Sequence, residues 1–169
     1  GEDGNLQGLL NCLSVPFVGS DVLGSSVCMA KHVTKALLKS AGILTVPGVV
    51  ITRENQADVD FLRLCDQLGC RELFVKPSAC GSSIGVTRVS KAEHFDRAIA
   101  EAFCYDATVL IEMAAVAREI ECSVMGNGDV RVSLPGEIVM QDDFYDYAAK
   151  YLNNTAQVVT PACLKAHQV

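Results

Sequence analysis

Tryptophan is absent from this sequence, histidine occurs three times and proline five times, and aromatic residues make up only 6 % of the chain. No Cys-x-x-Cys pair occurs, and His32, His94 and His167 stand far apart, so the ligand spacing of a zinc site is missing. Basic residues are also scarce: 14 Lys and Arg face 20 Asp and Glu, for a net charge of −6. That balance excludes the basic field of a general nucleic-acid or anionic-membrane binder. An anionic ligand would have to be met by local lysines and backbone amides. The longest apolar run, residues 46–51, is broken by Pro47 and Gly48, far short of the roughly 20 apolar residues of a spanning helix. No basic segment followed by an apolar stretch opens the chain, so no secretory leader is expected.

Half of the 169 residues are hydrophobic and 20 % are charged, which excludes a disordered chain. Thirteen glycines without a period exclude collagen-like repeats. The length suits one ordinary domain or pieces of two or three, and can bury about 70 % of the unfolded surface. Eight cysteines are spaced irregularly, most within apolar stretches such as Leu64-Cys65 and Phe103-Cys104. They read as small buried hydrophobes in a reducing compartment.

Apolar spacing predicts helices over 6–13, 21–29, 32–40 with a cap at Gly42, and 58–68 ended by Gly69. Strands are expected at 15–18, 46–52, 73–77, 86–89, 108–113 and 158–162. Ser90 and Glu93 form a capping-box pattern before a helix that buries Phe95, Ala98, Ile99, Ala102 and Phe103. Residues 119–125 and 130–134 flank Gly126-Asn127-Gly128-Asp129, a strong hairpin signal. Residues 144–151 read as a short helix within a long loop. The mixture with an antiparallel hairpin gives an α+β, or mixed α/β, class.

The most informative stretch is Lys76-Pro77-Ser78-Ala79-Cys80-Gly81-Ser82-Ser83-Ile84-Gly85. A lysine ends a buried strand, a Gly/Ser-rich loop follows, and a second strand returns. Glycines admit close approach, free amides and hydroxyls can hold phosphate oxygens, and the lysine supplies charge. It is neither a Walker A loop nor a dinucleotide fingerprint, since no Lys-Ser/Thr closes it and no helix follows. By itself a Gly/Ser hairpin turn needs no ligand, so the phosphate reading and the plain turn both stand. Glu112 closes a second buried strand, and Arg118-Glu119 follow seven positions on. Alone, such carboxylates are usually solvated strand ends. Tyr145, Tyr147 and Tyr151, three of the four tyrosines, cluster in the aromatic loop, where packing of a surface loop is the plain alternative.

Taken together and in order, these segments resemble the D-alanine–D-alanine ligases of the ATP-grasp class. The resemblance runs through Gly1-Glu2-Asp3-Gly4 with Gln7-Gly8, Pro16-Phe17-Val18-Gly19-Ser20, and Met29-Ala30-Lys31 with Thr34-Lys35. It continues through Val75-Lys76-Pro77, Gly81-Ser82-Ser83-Ile84-Gly85, Val109-Leu110-Ile111-Glu112 and Arg118-Glu119-Ile120-Glu121. Pro135-Gly136-Glu137-Ile138 and Phe144-Tyr145-Asp146-Tyr147 through Lys150-Tyr151 complete it.

The resemblance implies part of an ATP-grasp fold, with two small antiparallel sheets gripping ATP. Residues 1–28 would be the remnant of a substrate domain, 29–112 the central lid subdomain, and 113–169 the start of the last subdomain. ATP-dependent joining of two D-alanines through an acyl phosphate, for peptidoglycan precursors, is implied. So are a bacterial cytoplasmic setting and a homodimeric parent enzyme, with neither nucleic acid nor membrane as partner. Lys31 and Lys76 would meet the phosphates, with Ser82 and Ser83 covering them. Glu112 would take the adenine amino group, the backbone of Met113, Ala114 and Ala115 would line the adenine edge, and Glu119 would hold the ribose. Lys150 would reach the γ-phosphate, and Ser82 would link Tyr151 to a carboxylate that holds the first amino group.

Ala30 stands where the family has Asp, Cys80 where a larger or charged residue is common, and Met113-Ala114 where the hinge is bulkier. Relative to the family, the first strand-helix unit and the later carboxylates that hold Mg²⁺ or Mn²⁺ are not in this chain. Alone, it is therefore expected to be inactive. D-alanine–D-serine and D-lactate ligases, or a non-catalytic nucleotide-binding ATP-grasp module, are the alternative readings.

Overall fold

A computed structural model describes residues 2–140 and 156–165. The chain divides into two compact units, Gly1–Ala115 and Val116–Val169. The first opens with three helices, α1 (Asn5–Cys12), α2 (Val22–Met29) and α3 (Lys31–Ser40). β1 (Gly48–Thr52), α4 (Phe61–Leu68), β2 (Leu73–Pro77), β3 (Thr87–Val89), α5 (Phe95–Ala102) and β4 (Thr108–Met113) follow.

The strands form one antiparallel sheet in the order β1-β4-β2-β3. Alternation along β2 and β4 splits the sheet chemically. Leu73, Val75, Val109 and Ile111 face a core filled from α4 and α5 by Phe61, Leu64, Phe95 and Ile99, and by Phe103 just after α5. Each large apolar side chain so buried contributes about 1.5–3 kcal/mol. Phe61 and Phe95 meet edge to face at 5.8 Å and 62°, joining the two helices. Lys76, Leu110 and Glu112 belong to the other face, where they line a cavity with residues of α2 and α3.

Helix ends follow from local chemistry. Asp21 accepts from the Gly24 amide at 2.7 Å and Asp60 from the Arg63 amide at 2.9 Å, the usual N-cap arrangement. Gly69, at φ 65°, ends α4, and Gly42, at φ 74°, follows α3. Three sequence expectations fail here. Residues 15–18 form no strand: the Val15 amide is spent on Leu10 O at 2.9 Å, closing α1, and Val18 is fully exposed. The helix expected from residue 58 begins at Phe61, after a 3₁₀ turn over Gln56–Asp58. The capping box does not form either. Lys91 takes the cap position of a 3₁₀ turn, and Glu93 faces Lys91 and His94 in solvent at 3.9 and 3.5 Å.

The second unit holds β5 (Glu119–Glu121), β6 (Val124–Met125), β7 (Arg131–Val132), β8 (Gly136–Met140) and β9 (Ala156–Val159). β5, β8 and β9 make a three-stranded antiparallel sheet, and β6 pairs with β7. The expected hairpin is thus broken in two and gains a strand. Pro135 has no N–H for a continuous ladder, so the returning strand breaks there and resumes as β8. Arg118 holds Glu137 through two parallel bonds of 2.6 Å and donates to Cys163 O at 2.9 Å. That guanidinium keeps the Glu137 carboxyl below its usual range.

The cysteines also depart from expectation. All are free, and Cys65 alone is buried, while Cys12, Cys28, Cys104, Cys122 and Cys163 are exposed. An apolar neighbour in sequence did not set their burial, because adjacent residues on a helix or strand point to different sides.

Candidate functional site

Glu112 is the centre of the polar face. It is 6 % exposed, near the end of β4, and each carboxylate oxygen has its own ammonium partner: Lys35 on Oε1, Lys76 on Oε2. Lys76 comes from β2, the ladder neighbour of β4, and Lys35 from α3. The Lys35 ammonium also donates to Val46 O at 2.6 Å. One turn earlier on α3, Lys31 donates to Ser78 O at 3.2 Å and to Cys80 O at 2.6 Å. Burial, and next the charge of Lys76, lower the Lys31 pKa below its ordinary 10.5. The three lysines and Glu112 border a cavity of about 230 Å³, so its walls carry three ammoniums against one carboxylate. Such a surplus favours a polyanion.

The loop after β2 is pinned at its stem. Ser78 is fully buried, and its Oγ accepts from the His32 amide at 3.3 Å and lies 2.5 Å from His32 Nδ1. Its carbonyl accepts from the Lys31 amide at 3.0 Å, and its own amide donates to Thr108 O at 2.9 Å. Helix α3 thus has its first amides satisfied by a residue 46 positions away rather than by a local cap. Beyond the stem, Ser82 and Ser83 both have positive φ, 54° and 58°, in a turn closed by Ile84 N–H to Gly81 O at 3.2 Å. Two non-glycine residues in left-handed conformation cost about 1–2 kcal/mol each. Such outliers gather where a loop serves a ligand.

The fold therefore gathers Lys31, Lys76 and Glu112 round one cavity, with Ser82 and Ser83 in the loop that Lys31 grips. Met113 donates its amide to Pro47 O at 3.1 Å and Ala114 to Glu72 O at 2.9 Å, and Ala115 is the last residue of the first unit. Glu119 is exposed in β5 of the second unit, across from Ile138. Lys150 and Tyr151 lie outside the described residues. Lys35 carries no motif signal of its own, although its spacing of four from Lys31 puts both on one helical face.

Among the described residues no group of three or more His, Cys, Asp and Glu is placed to hold a metal ion. No helix among them is long and apolar enough to cross a membrane.

The sheet-and-loop arrangement is that of the ATP-grasp enzymes. The D-alanine-D-alanine ligase from Coxiella burnetii matches with a TM-score of 0.77 at 43 % identity, covering 82 % of this chain and 41 % of its own. The VanG D-Ala:D-Ser ligase from Enterococcus faecalis matches with a TM-score of 0.84 at 34 % identity, over 99 % of this chain and 48 % of its own. In sequence, the D-alanine–D-alanine ligase of Baumannia cicadellinicola is 50 % identical over 165 residues, 97 % of this chain. The family model of the D-ala D-ala ligase C-terminus matches residues 37–169, and the chain belongs to that family. It spans 44 % of the Baumannia ligase, less than half of that relative's length.

Proposed function

We propose that the protein carrying this chain joins two D-alanines into D-alanyl-D-alanine with ATP, in the bacterial cytoplasm, for peptidoglycan precursors. The observation that supports this most is the cavity in which Lys31, Lys35 and Lys76 outnumber Glu112. In this reading a carboxylate oxygen of the first D-alanine attacks the γ-phosphorus, and ADP leaves. The amine of the second then attacks the acyl carbon, phosphate leaves, and the amine gives up a proton. Lys31 and Lys76 neutralise the polyphosphate, and the Ser82-Ser83 turn excludes water above it. Glu112 accepts from the adenine amino group beside the backbone of Met113 and Ala115, and Glu119 holds the ribose. Lys150 meets the γ-phosphate, and Tyr151 acts with Ser82 at the first amino group. The Mg²⁺ or Mn²⁺ of such a reaction would be held by carboxylates of the complete protein and would neutralise the phosphates together with Lys31 and Lys76. The parent enzyme is read as a homodimer.

D-Alanine is taken as second substrate because the sequence relatives at 46–51 % identity are named D-alanine–D-alanine ligases, with D-serine as the alternative that the VanG D-Ala:D-Ser ligase represents. The test is turnover of the complete protein with ATP and D-alanine. Equal yields of ADP, phosphate and D-alanyl-D-alanine are expected, with a loss of about 100-fold or more in K76A. Nucleotide binding without turnover in the complete protein would favour a non-catalytic module instead.

A further inference from the structure

We propose that Lys35 is a positioning residue for nucleotide binding: it is the standing counter-charge of Glu112, which releases Lys76 to the phosphates. The inference rests on the nucleotide reading above. Glu112 is nearly sealed, and its two oxygens are divided between Lys35 and Lys76. Lys31 is not a partner of Glu112: two of its three N–H groups go to the carbonyls of Ser78 and Cys80, which leaves one for a phosphate. Of the two partners, Lys35 is the anchored one, with a further bond to Val46 O at 2.6 Å. Lys76 lies next to Pro77, where β2 ends and the Gly/Ser loop begins.

A polyphosphate that draws Lys76 away leaves Glu112 with one partner if Lys35 is present and with none if it is not. A buried carboxylate without a counter-charge is strongly unfavourable. Without Lys35, the phosphates and Glu112 therefore compete for the same ammonium. With it, Lys76 is shared at little cost. Lys35 acts through Glu112 and need not touch the nucleotide.

A double-mutant cycle read by calorimetric ATP titration of the full chain tests this. K35M is expected to weaken ATP binding about tenfold, and K35R to stay within about threefold of wild type. In the E112Q background, adding K35M is expected to change the affinity less than twofold, because a neutral amide needs no counter-charge. A Lys35 that merely braces α3 would lose affinity equally in both backgrounds, and that result would overturn the proposal. So would wild-type affinity in K35M. If K35M does not fold, the comparison of E112Q with K35M/E112Q decides: equal affinities support the inference, and a tenfold gap refutes it. A folded wild type that binds no ATP overturns the nucleotide reading and this inference together.

Discussion

Gly48 lies directly across the β1–β4 ladder from Glu112, and a Cβ there would stand 2.6 Å from Ile111 O and 2.8 Å from Glu112 Cγ. The missing side chain is what lets the Glu112 chain lie against β1 within reach of Lys35. G48A should therefore destabilise the first unit by about 1–3 kcal/mol, as overpacking does, and weaken ATP binding as Glu112 shifts. Thermal melting and ATP titration of the one variant check both effects.

Ser78 joins three elements through one side chain and two backbone groups. S78A leaves the His32 amide and Nδ1 without their oxygen, at a cost of about 0.5–2 kcal/mol, the range for losing a helix cap. Urea denaturation should show a lower midpoint with an unchanged slope.

The loop glycines should differ sharply. At Gly85, with φ 68°, a Cβ would meet the Tyr105 ring at 2.6 Å and Pro77 Cγ at 2.8 Å. At Gly81 it would meet only the carboxylate of exposed Glu2. G85A is expected to cost about 2 kcal/mol or more, and G81A under about 1. Equal melting temperatures for the two variants would refute this account of the loop.

Lys31 gives a pH dependence. Its pKa lies below 10.5 because of burial and then Lys76, while Cys80, Asp106 and Glu112 act in the opposite sense. ATP affinity should fall as pH rises through that lowered value, where Lys31 loses its charge before an ordinary lysine does. K31R stays charged there, so the fall should move to higher pH. Folding responds oppositely: the charged form is disfavoured by burial, so Lys31's contribution to stability improves as pH climbs from the lowered value towards 10.5. ATP titrations and urea unfolding of wild type and K31R, carried up to pH 10.5, separate the two curves.

Much of the first unit was legible because pattern and packing agree there. β2 and β4 occupy the expected residues, and α5 buries Phe95, Ala98, Ile99 and Ala102 as their spacing implies. Lys76 and Glu112 were readable as polar residues ending buried strands. What local pattern could not show were contacts made at a distance. Nothing near Lys31 announces that its helix is capped by Ser78, and nothing near Lys35 announces a carboxylate 77 residues away. The capping box at Ser90 failed for the converse reason. A correct local motif lost to a 3₁₀ turn whose acidic residue remains in solvent. The split hairpin turned on Pro135, whose missing donor was visible but whose effect depended on which strand lay opposite.

The most direct test of the central claim is ATP binding by the folded chain, measured by calorimetry for wild type and K76A. The cationic cavity predicts binding by wild type and at least tenfold weaker binding by K76A. A folded wild type that releases no heat with ATP, or a K76A variant that binds as well, would contradict it.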